Sequence, residues 1–353
     1  IVLIDTKAPT TIAFGQQTDG NGSVAPRSHV VVNVTATDVN LTNITLYLWN
    51  GTLVNMTTVT GINSTYGENF VNITGLSDGT YYFNATATDI ANNKNSTVTR
   101  TVTVDTAAPG TIEFGTQTDV NNSYHSRNFT IINVTATDAN LQNITLYLWN
   151  SSLTNITTTA SSPNFVNITD LADGVYYFNA TAKDIAGNVN HTTTRVVTLD
   201  RIVPVPSYGA TTDSNGSAVG RTFVIVNVSV IEVNVNTTNV SLHNSSGGVI
   251  RSNVTVLNNS FFVNFTGLSE GTYFFNVTVN DSAGNRNLSL QTRTVTVDVT
   301  FPDIYYGATT DANNSYVRRN FTIVNITTTE ANVANVTIYI LNSSGIVNQT
   351  TLA

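Results

Sequence analysis

The stretch YYFNATATDIANN at residues 81–93 returns twice with small changes, as YYFNATAKDIAGN at 176–188 and as YFFNVTVNDSAGN at 273–285. Polar and apolar residues alternate through its first part, which is the period of a half-buried β-strand. A turn-forming cluster of Asp, Asn or Gly follows in each copy. Recurrence at a nearly constant spacing is typical of tandem arrays. We therefore expect a chain built from repeated β-domains.

Other repeated strings set the boundaries of these repeats. NVTATD occurs at 33–38 and 133–138, and TRTVTVD at 99–105 returns at 292–298 and, as TRVVTLD, at 194–200. We predict three complete repeats, at 6–105, 106–200 and 201–298. Residues 1–5 are interpreted as the last strand of a preceding repeat, and 299–353 as the first half of a further one. The chain is thus expected to be part of a longer array.

Each repeat is predicted to be all-β, because no apolar pattern with a 3.6-residue period is long enough for a helix. In the second repeat, strands are expected near 111–116, 129–137, 143–149, 153–158, 164–168, 175–183 and 192–199. Seven short strands in about 100 residues are typical of an immunoglobulin-like β-sandwich. A tyrosine directly after a Gly turn, at Tyr81, Tyr176 and Tyr273, predicts the buried tyrosine corner of such sandwiches. The predicted fold class is a tandem, beads-on-a-string array of these sandwiches.

Two segments carry a resemblance to a known family. The segments at 182–188 (AKDIAGN) and 102–109 (VTVDTAAP) resemble the bacterial-type Ig-like repeats of prokaryotic surface proteins, and the Asn/Thr-rich wording is similar to archaeal surface proteins in particular. The resemblance covers the whole chain. It implies an extracellular, cell-surface or secreted location in an adhesin stalk, an S-layer-associated protein or a filament.

Composition excludes several other classes of function. The net charge of -8 argues against a nucleic-acid partner. The absence of Cys excludes disulfides, thiolate metal ligands and a thiol nucleophile. No nucleophile elbow, zinc-protease, P-loop or dinucleotide motif occurs. No run of 18 apolar residues occurs either, so no membrane-spanning segment is expected. We predict a non-enzymatic protein.

The chain contains 36 N-x-[S/T] sequons. On a strand, the Asn and the Ser or Thr share one face while the middle residue, usually apolar here, points to the other. This pattern predicts N-glycosylation of a subset of sites. The alternative is that strand faces rich in Asn and Thr produce sequons by composition alone. The candidate sites are Asn33, Asn43, Asn84, Asn133, Asn143, Asn179, Asn227, Asn276 and Asn325.

The acidic residues are confined to a few recurring positions. Eighteen of the 22 lie in five positions that repeat along the chain, and carboxylates from all five are expected to gather at each junction between repeats. The preferred interpretation is local, with Asx turns and Asp–Arg pairs that hold the loops. The alternative is Ca²⁺ at the junctions, since Ca²⁺ takes six to eight oxygen ligands. Its candidate ligands are Asp105, Asp138, Asp184, Asp200, Glu232 and Asp281.

Three functions fit these observations. The first is a structural segment of a long, glycosylated extracellular stalk or filament, whose partners are neighbouring repeats or other copies of itself. The second is an adhesin whose beads bind surface glycans or another cell through Tyr47, Trp49, Tyr147 and Trp149. These aromatic residues are predicted to point outward, because the leucines that alternate with them, Leu46 and Leu48 in the first repeat, are predicted to point inward. The third is a set of spacer repeats in a larger surface enzyme.

Overall fold

The computed structural model describes residues 4–152, 154–256, 258–288, 290–330 and 332–352, without the side chains of 61–65. It divides into two compact units, Ile1–Arg201 and Ile202–Ala353, and its ordered elements in these ranges are all β-strands. The strand predicted at 1–5 lies largely outside the described residues, and Ile4 and Asp5 belong to no strand. The repeat boundaries therefore remain predictions. No helix in the described ranges is long and apolar enough to cross a membrane.

The first sandwich of unit one is a single folded sheet. Its strands are β1 (Ala13–Phe14), β2 (Ser23–Ala25), β3 (His29–Asn50), β4 (Thr52–Thr74), β5 (Gly79–Asp89), β6 (Lys94–Ser96) and β7 (Arg100–Val104). The order is β1-β3-β5-β7-β2, with β4 on β3 and β6 on β5. The long strands β3 and β4 pair with each other on both sides of a register shift at 37–41, so that they run through both layers of the sandwich.

The second sandwich of unit one separates the same elements into two sheets. Its strands are β8 (Ile112–Phe114), β9 (Ser123–His125), β10 (Thr130–Ala136), β11 (Leu141–Trp149), β12 (Thr154–Thr159), β13 (Asn164–Ile168), β14 (Gly174–Asp184), β15 (Val189–His191) and β16 (Arg195–Leu199). The sheets are β13-β10-β8 and β12-β11-β14-β16-β9, with β15 on β14 and β9 parallel to β16. This arrangement is that of an immunoglobulin-like sandwich, as the sequence predicts. The seven predicted strands are present, while β9 and β15 were not predicted.

The core of the second sandwich follows from strand alternation. In β10 every second residue is buried, and Ile132 and Val134 have no exposed surface. Phe178 from β14 is fully buried and meets Phe114 edge to face, with 5.3 Å between ring centroids. The Arg195 guanidinium lies 4.4 Å from the centroid of the Phe114 ring and closes the edge of this core.

The predicted tyrosine corner is confirmed in all three sandwiches. The hydroxyl of Tyr176 donates a hydrogen bond to the carbonyl oxygen of Ala172 at 3.0 Å, and its ring is 2% exposed. Tyr81 and Tyr273 make the same bond four residues back, at 2.8 and 2.9 Å. Gly174, with φ of 152°, adopts a conformation that L side chains rarely reach and starts the strand at the required angle.

Unit two begins with a third sandwich of the same order. Its strands are β17 (Val205–Tyr208), β18 (Ser217–Val219), β19 (Phe223–Ile231), β20 (Val235–His243), β21 (Val249–Val256), β22 (Ser260–Thr266), β23 (Gly271–Asp281), β24 (Arg286–Asn287) and β25 (Arg293–Val297). The sheets are β17-β19-β22 and β18-β25-β23-β20-β21, with β24 on β23.

The C-terminal segment of unit two has strands but no enclosed core. It contains the pairs β26 (Ile304–Tyr306) with β27 (Ile326–Thr328) and β28 (Val336–Asn342) with β29 (Gly345–Leu352). Among its described residues at 299–330 and 332–352, none is buried, and apolar side chains such as Phe321 and Leu341 are 59% and 65% exposed.

Candidate metal centre, linker and surface sites

Three carboxylates of unit one meet where the second sandwich begins. Asp105 follows β7, Asp138 lies shortly after β10, and Asp184 ends β14; one oxygen of each lies within 4.8 Å of the others. We call this group the junction triad. Asp105 and Asp184 are 7% and 0% exposed, and Asp138 is half-buried. The candidate calcium ligands Asp105, Asp138 and Asp184 thus lie together in the structure. Asp5, Asp38 and Asp89 form an equivalent group at the start of the first sandwich.

Amide donors surround the junction triad. The backbone N–H of Asn140 donates to Asp138 Oδ1 at 2.6 Å, and its side-chain Nδ2 donates to Asp105 Oδ2 at 2.7 Å. Asp184 accepts the N–H groups of Gly187 and Asn188 at 2.7 and 2.8 Å. No Lys or Arg among the described residues forms a salt bridge with the triad. The geometry is that of Asx turns, and the negative charge faces amide dipoles rather than cations.

The same loops hold the linker that joins the two sandwiches of unit one. Asn188 Nδ2 lies 2.9 Å from the carbonyl oxygen of Asp105 and 3.1 Å from that of Ala107. Asn190 Nδ2 donates to the carbonyl oxygen of Pro109 at 2.9 Å. We call Asn188 and Asn190 the linker clasp. The first sandwich repeats it, since Asn93 and Asn95 bind the backbone of residues 5–9.

The preceding sandwich holds the other side of this linker. Asp78, in the turn before β5, accepts the N–H of Thr106 at 3.0 Å and the Thr106 hydroxyl at 2.8 Å. These bonds, the backbone one first, lower the pKa of Asp78 from its ordinary value of 3.8. Asp173 in turn accepts Arg201 Nε at 2.7 Å. The linker at 105–109 is therefore fastened to both of its neighbours.

The remaining candidate calcium ligands occupy equivalent positions in their own sandwiches. Asp200 follows β16 in unit one and is 6% exposed. In unit two, Glu232 follows β19 and accepts the N–H of Asn234 at 2.9 Å. Asp281 ends β23, is 1% exposed, and accepts the N–H of Asn285 at 2.8 Å.

Of the five recurring acidic positions, those of Asp105, Asp138 and Asp184 form the junction triad. In the loop between β8 and β9, Asp119 pairs with Arg127 and accepts the backbone N–H of Ile131 at 3.1 Å, so its charge is used inside its own sandwich. Asp311 pairs with Arg319 in the same way, and this bond contributes most to lowering the pKa of Asp311 to about 2. The same ion pair recurs as Asp19–Arg27 and Asp213–Arg221.

Four candidate glycosylation sites share an unexpected environment. Each side-chain amide faces the Cα of a glycine in the loop that precedes the strand, and a Cβ built there would lie 2.5–2.9 Å from Nδ2. Asn33 is only 9% exposed, although a glycosylated Asn must reach solvent. A sugar on these Nδ2 atoms would have to displace the loop. The pairs are Gly15–Asn33, Gly115–Asn133, Gly209–Asn227 and Gly307–Asn325.

The other candidate sequons lie on the larger sheets. Asn84 and Asn179 are half-buried on β5 and β14, and their Nδ2 atoms donate to the hydroxyls of Thr99 and Thr194, each at 3.3 Å. The three remaining candidates are half-buried as well: Asn43, Asn143 and Asn276.

The predicted outward register of the aromatic residues is confirmed. Leu46 and Leu48 have no exposed surface, while Tyr47 and Trp49 between and after them are half-buried on the opposite face. Trp49 stacks on Tyr82 of the neighbouring strand, with 6.0 Å between ring centroids. In the second sandwich, Tyr147 lines a shallow surface depression with Trp149, which stacks on Tyr177 at 6.0 Å.

Comparison with known proteins adds a remote likeness. No family model and no curated protein matches the chain. Solved structures with a likeness include a tetra-tandem repeat in the extending region of a large adhesion protein (18% identity, 94% of this chain and 85% of that one, TM-score 0.35). Others are a 1.5-MDa bacterial ice-binding adhesin (18%, 84% and 100%, TM-score 0.33) and a marsupial T cell receptor (10%, 81% and 99%, TM-score 0.40). Likeness at this level carries no weight for function, and the fold assignment rests on the strand order.

Proposed function

We propose that this chain is a non-enzymatic structural segment of an extracellular stalk or filament made of tandem Ig-like sandwiches. Three features support it: the sandwich recurs, its acidic and Asn positions recur with it, and charged residues make up only 10% of the chain. A structural repeat needs a stable bead and a defined connection to the next bead. Its partners are neighbouring repeats or other copies of itself.

The linker at 105–109 carries this proposal. A flexible tether would leave these residues free, whereas here Asp78 binds the linker from one sandwich and the linker clasp binds it from the other. Most of these contacts use main-chain groups of the linker, and the linker side chains that take part are those of Thr106 and Asp105. Such a connection transmits load between beads, which is the task of a stalk.

Deletion of residues 106–200 from the native protein tests this function. If the segment is a spacer, electron microscopy should show a shorter stalk or filament. The structure at the far end of the stalk and the adhesion of the cell should be unchanged. Loss of surface binding with unchanged length would contradict it and favour the adhesin.

An adhesin is the second candidate, and the stacked pair Trp149–Tyr177 favours it. Tyr177 remains 40% exposed beside the depression lined by Tyr147 and Trp149. Aromatic faces of this kind are common in binding sites because they offer apolar area at low entropic cost. The third sandwich has His243 in the position of Trp149, so the site is not a property of every bead. A glycan array probed with the wild-type chain and with Trp149→Ala decides between the two functions.

Calcium at the junction triad is a further proposal. It is supported by the convergence of Asp105, Asp138 and Asp184 without a paired cation among the described residues, and opposed by the amides that already bind their oxygens. A cation held at 100 times its Kd would stabilise the fold by about 2.7 kcal/mol. EGTA should then lower the Tm of the wild type and leave the Asp138→Asn/Asp184→Asn variant unchanged. Equal Tm values with and without EGTA in the wild type would assign the triad to loop structure alone.

N-glycosylation of a subset of sequons completes the proposal and supports the extracellular location. Neutral polar groups and sugars keep a charge-poor surface hydrated, which ordinary proteins achieve with a charged fraction of about 25–35%. Mass spectrometry of native material is the test. A mass for the segment equal to the bare polypeptide of 37.8 kDa would refute it.

A further inference from the structure

One sequon in each complete sandwich differs from the candidates described above. It lies at the end of β4, β13 and β22, the strands that pair with β3, β10 and β19, and β13 and β22 are edge strands of their sheets. A phenylalanine stands two residues before the Asn in every case, giving the pattern F-x-N-x-T. The three copies are Phe70–Thr74, Phe165–Thr169 and Phe262–Thr266.

Strand alternation places the Phe, the Asn and the Thr of this pattern on the outer face. Phe165 is 51% exposed, and Asn167 and Thr169 are exposed as well. The residue after the Asn points to the core, as shown by Ile73 at 6% and Phe265 at 1% exposure. Phe70 and Phe262 are 51% and 58% exposed. Each of the three copies therefore places an exposed aromatic ring beside an exposed Asn.

The amide of this Asn is accessible where those of its neighbours are not. Asn72, Asn167 and Asn264 are exposed, and their side-chain amides form no hydrogen bond with other described residues. Directly across from Phe165, by contrast, Asn133 presses its Nδ2 against Gly115. The same sheet face thus holds one reachable and one covered sequon.

The backbone after the sequon also opens the site. Thr74, Thr169 and Thr266 are each followed by a residue in the left-handed region, with φ of 74° at Gly75, 61° at Asp170 and 68° at Gly267. The strand ends there, and the chain turns away. A modifying enzyme can therefore approach the sequon from the strand end without competing with a neighbouring strand.

We propose that Asn72, Asn167 and Asn264 are the glycosylated sites, and that the preceding phenylalanine packs against the first sugar. This inference rests on the proposed N-glycosylation and specifies its location. In the reaction, Nδ2 loses a proton and bonds to the anomeric carbon of a phosphate-activated sugar, whose C1–O bond breaks to release the phosphate. The ring lies about 7 Å along the strand from the Asn Cα, so it reaches the apolar C–H face of that sugar.

Glycopeptide mapping of the native protein tests the location. Glycans are expected at Asn72, Asn167 and Asn264. Asn167→Gln should remove the mass of one glycan, while the matched control Asn133→Gln should leave the glycan mass unchanged. Glycans on Asn133 or Asn179 with bare Asn167 would overturn the inference and leave the proposed glycosylation intact. A native protein without any glycan would refute both.

A double-mutant cycle tests the role of the phenylalanine. Phe165→Ala and Asn167→Gln are made singly and together in glycosylated protein and in protein from cells that lack N-glycosylation. We expect the two Tm losses to be less than additive in glycosylated protein and additive in unmodified protein, with the exposed Val175→Ala as a control that shows no coupling. Additive losses in both preparations would refute the sugar contact and favour a docking face for another protein.

Discussion

Replacing Asn188 by alanine removes the centre of the linker clasp. The Asn188 Nδ2 atom has three acceptors in reach, the carbonyl oxygens of Asp105 and Ala107 and the carboxylate of Asp184 at 2.8 Å. The side-chain amide of Asn188 has two N–H groups, so it makes full hydrogen bonds to two of these three acceptors at a time. One neutral bond contributes about 1 kcal/mol and one bond to a charged group about 1.5–3 kcal/mol. Because Asn188 is half-buried, the lower end applies, and we expect a loss of about 2 kcal/mol.

Calorimetry of the whole, unglycosylated chain measures this loss. A destabilisation of this size lowers the Tm of a 100-residue domain by about 8–16 °C, and only the transition of the affected sandwich should move. Asn190→Ala removes the bonds to the carbonyl oxygens of Pro109 and Gly110 and the bond accepted from the N–H of His191. It should have a smaller effect, because none of these bonds involves a charged group. Asn167→Ala is the matched control, because an exposed substitution of this kind changes stability by less than about 0.5 kcal/mol.

A shift for Asn188→Ala no larger than that of the control would refute the clasp. The hydrogen bonds from Asn188 would then be incidental to stability, and the linker at 105–109 would act as a tether. The structural function proposed for the chain would lose its main support.

Three further predictions concern single contacts. Gly115→Ala should cost about 1–3 kcal/mol in thermal unfolding, because its Cβ would lie 2.7 Å from Nδ2 of Asn133, and adding Asn133→Ser should recover most of the loss. Since the pKa of Asp78 is lowered in the folded chain, its bonds to Thr106 stabilise the linker above pH of about 4 and are lost as the pH falls through the folded pKa; an NMR titration of the Asp78 carboxyl with unchanged pKa would contradict this. Tyr176→Phe should lower stability by about 1 kcal/mol in calorimetry, through loss of the corner hydrogen bond, whereas no change would remove its structural role.

Much of the fold is legible in the sequence because strand alternation is strong and repeated. β13 lies at the predicted 164–168, and β10 at 130–136 is one residue shorter at each end than predicted. The short strands β9 and β15 escaped prediction because three residues carry no periodicity. They exist because tertiary pairing with β16 and β14 satisfies their backbone. β3 and β4 are continuous strands because they pair with each other on both sides of the register shift at residues 37–41. No sequence signal marks this pairing.

The candidate sites were predictable only in part. Recurrence of acids at fixed positions located Asp105, Asp138 and Asp184, because loops at one end of a sandwich converge. The linker clasp was missed, although Asn93, Asn188 and Asn285 recur in register and could have marked it. Counting sequons treated every strand face alike. It could not distinguish Asn133, which faces a glycine of the preceding loop, from Asn167, because this difference arises from packing between segments distant in sequence.

The placement of the few charged residues determines how the contacts at the linker respond to salt. Arg127 and its counterparts are used within single sandwiches, where they neutralise Asp119 and its equivalents. At the linker of unit one, by contrast, the contacts run from asparagine amides and backbone N–H groups to carbonyl oxygens and carboxylates. Bonds between neutral groups are not weakened by salt, whereas exposed ion pairs are screened once the Debye length falls to about 3 Å at 1 M salt. Asparagine at the clasp therefore keeps its bonds to the linker carbonyl oxygens independent of ionic strength, and a lysine in its place would not.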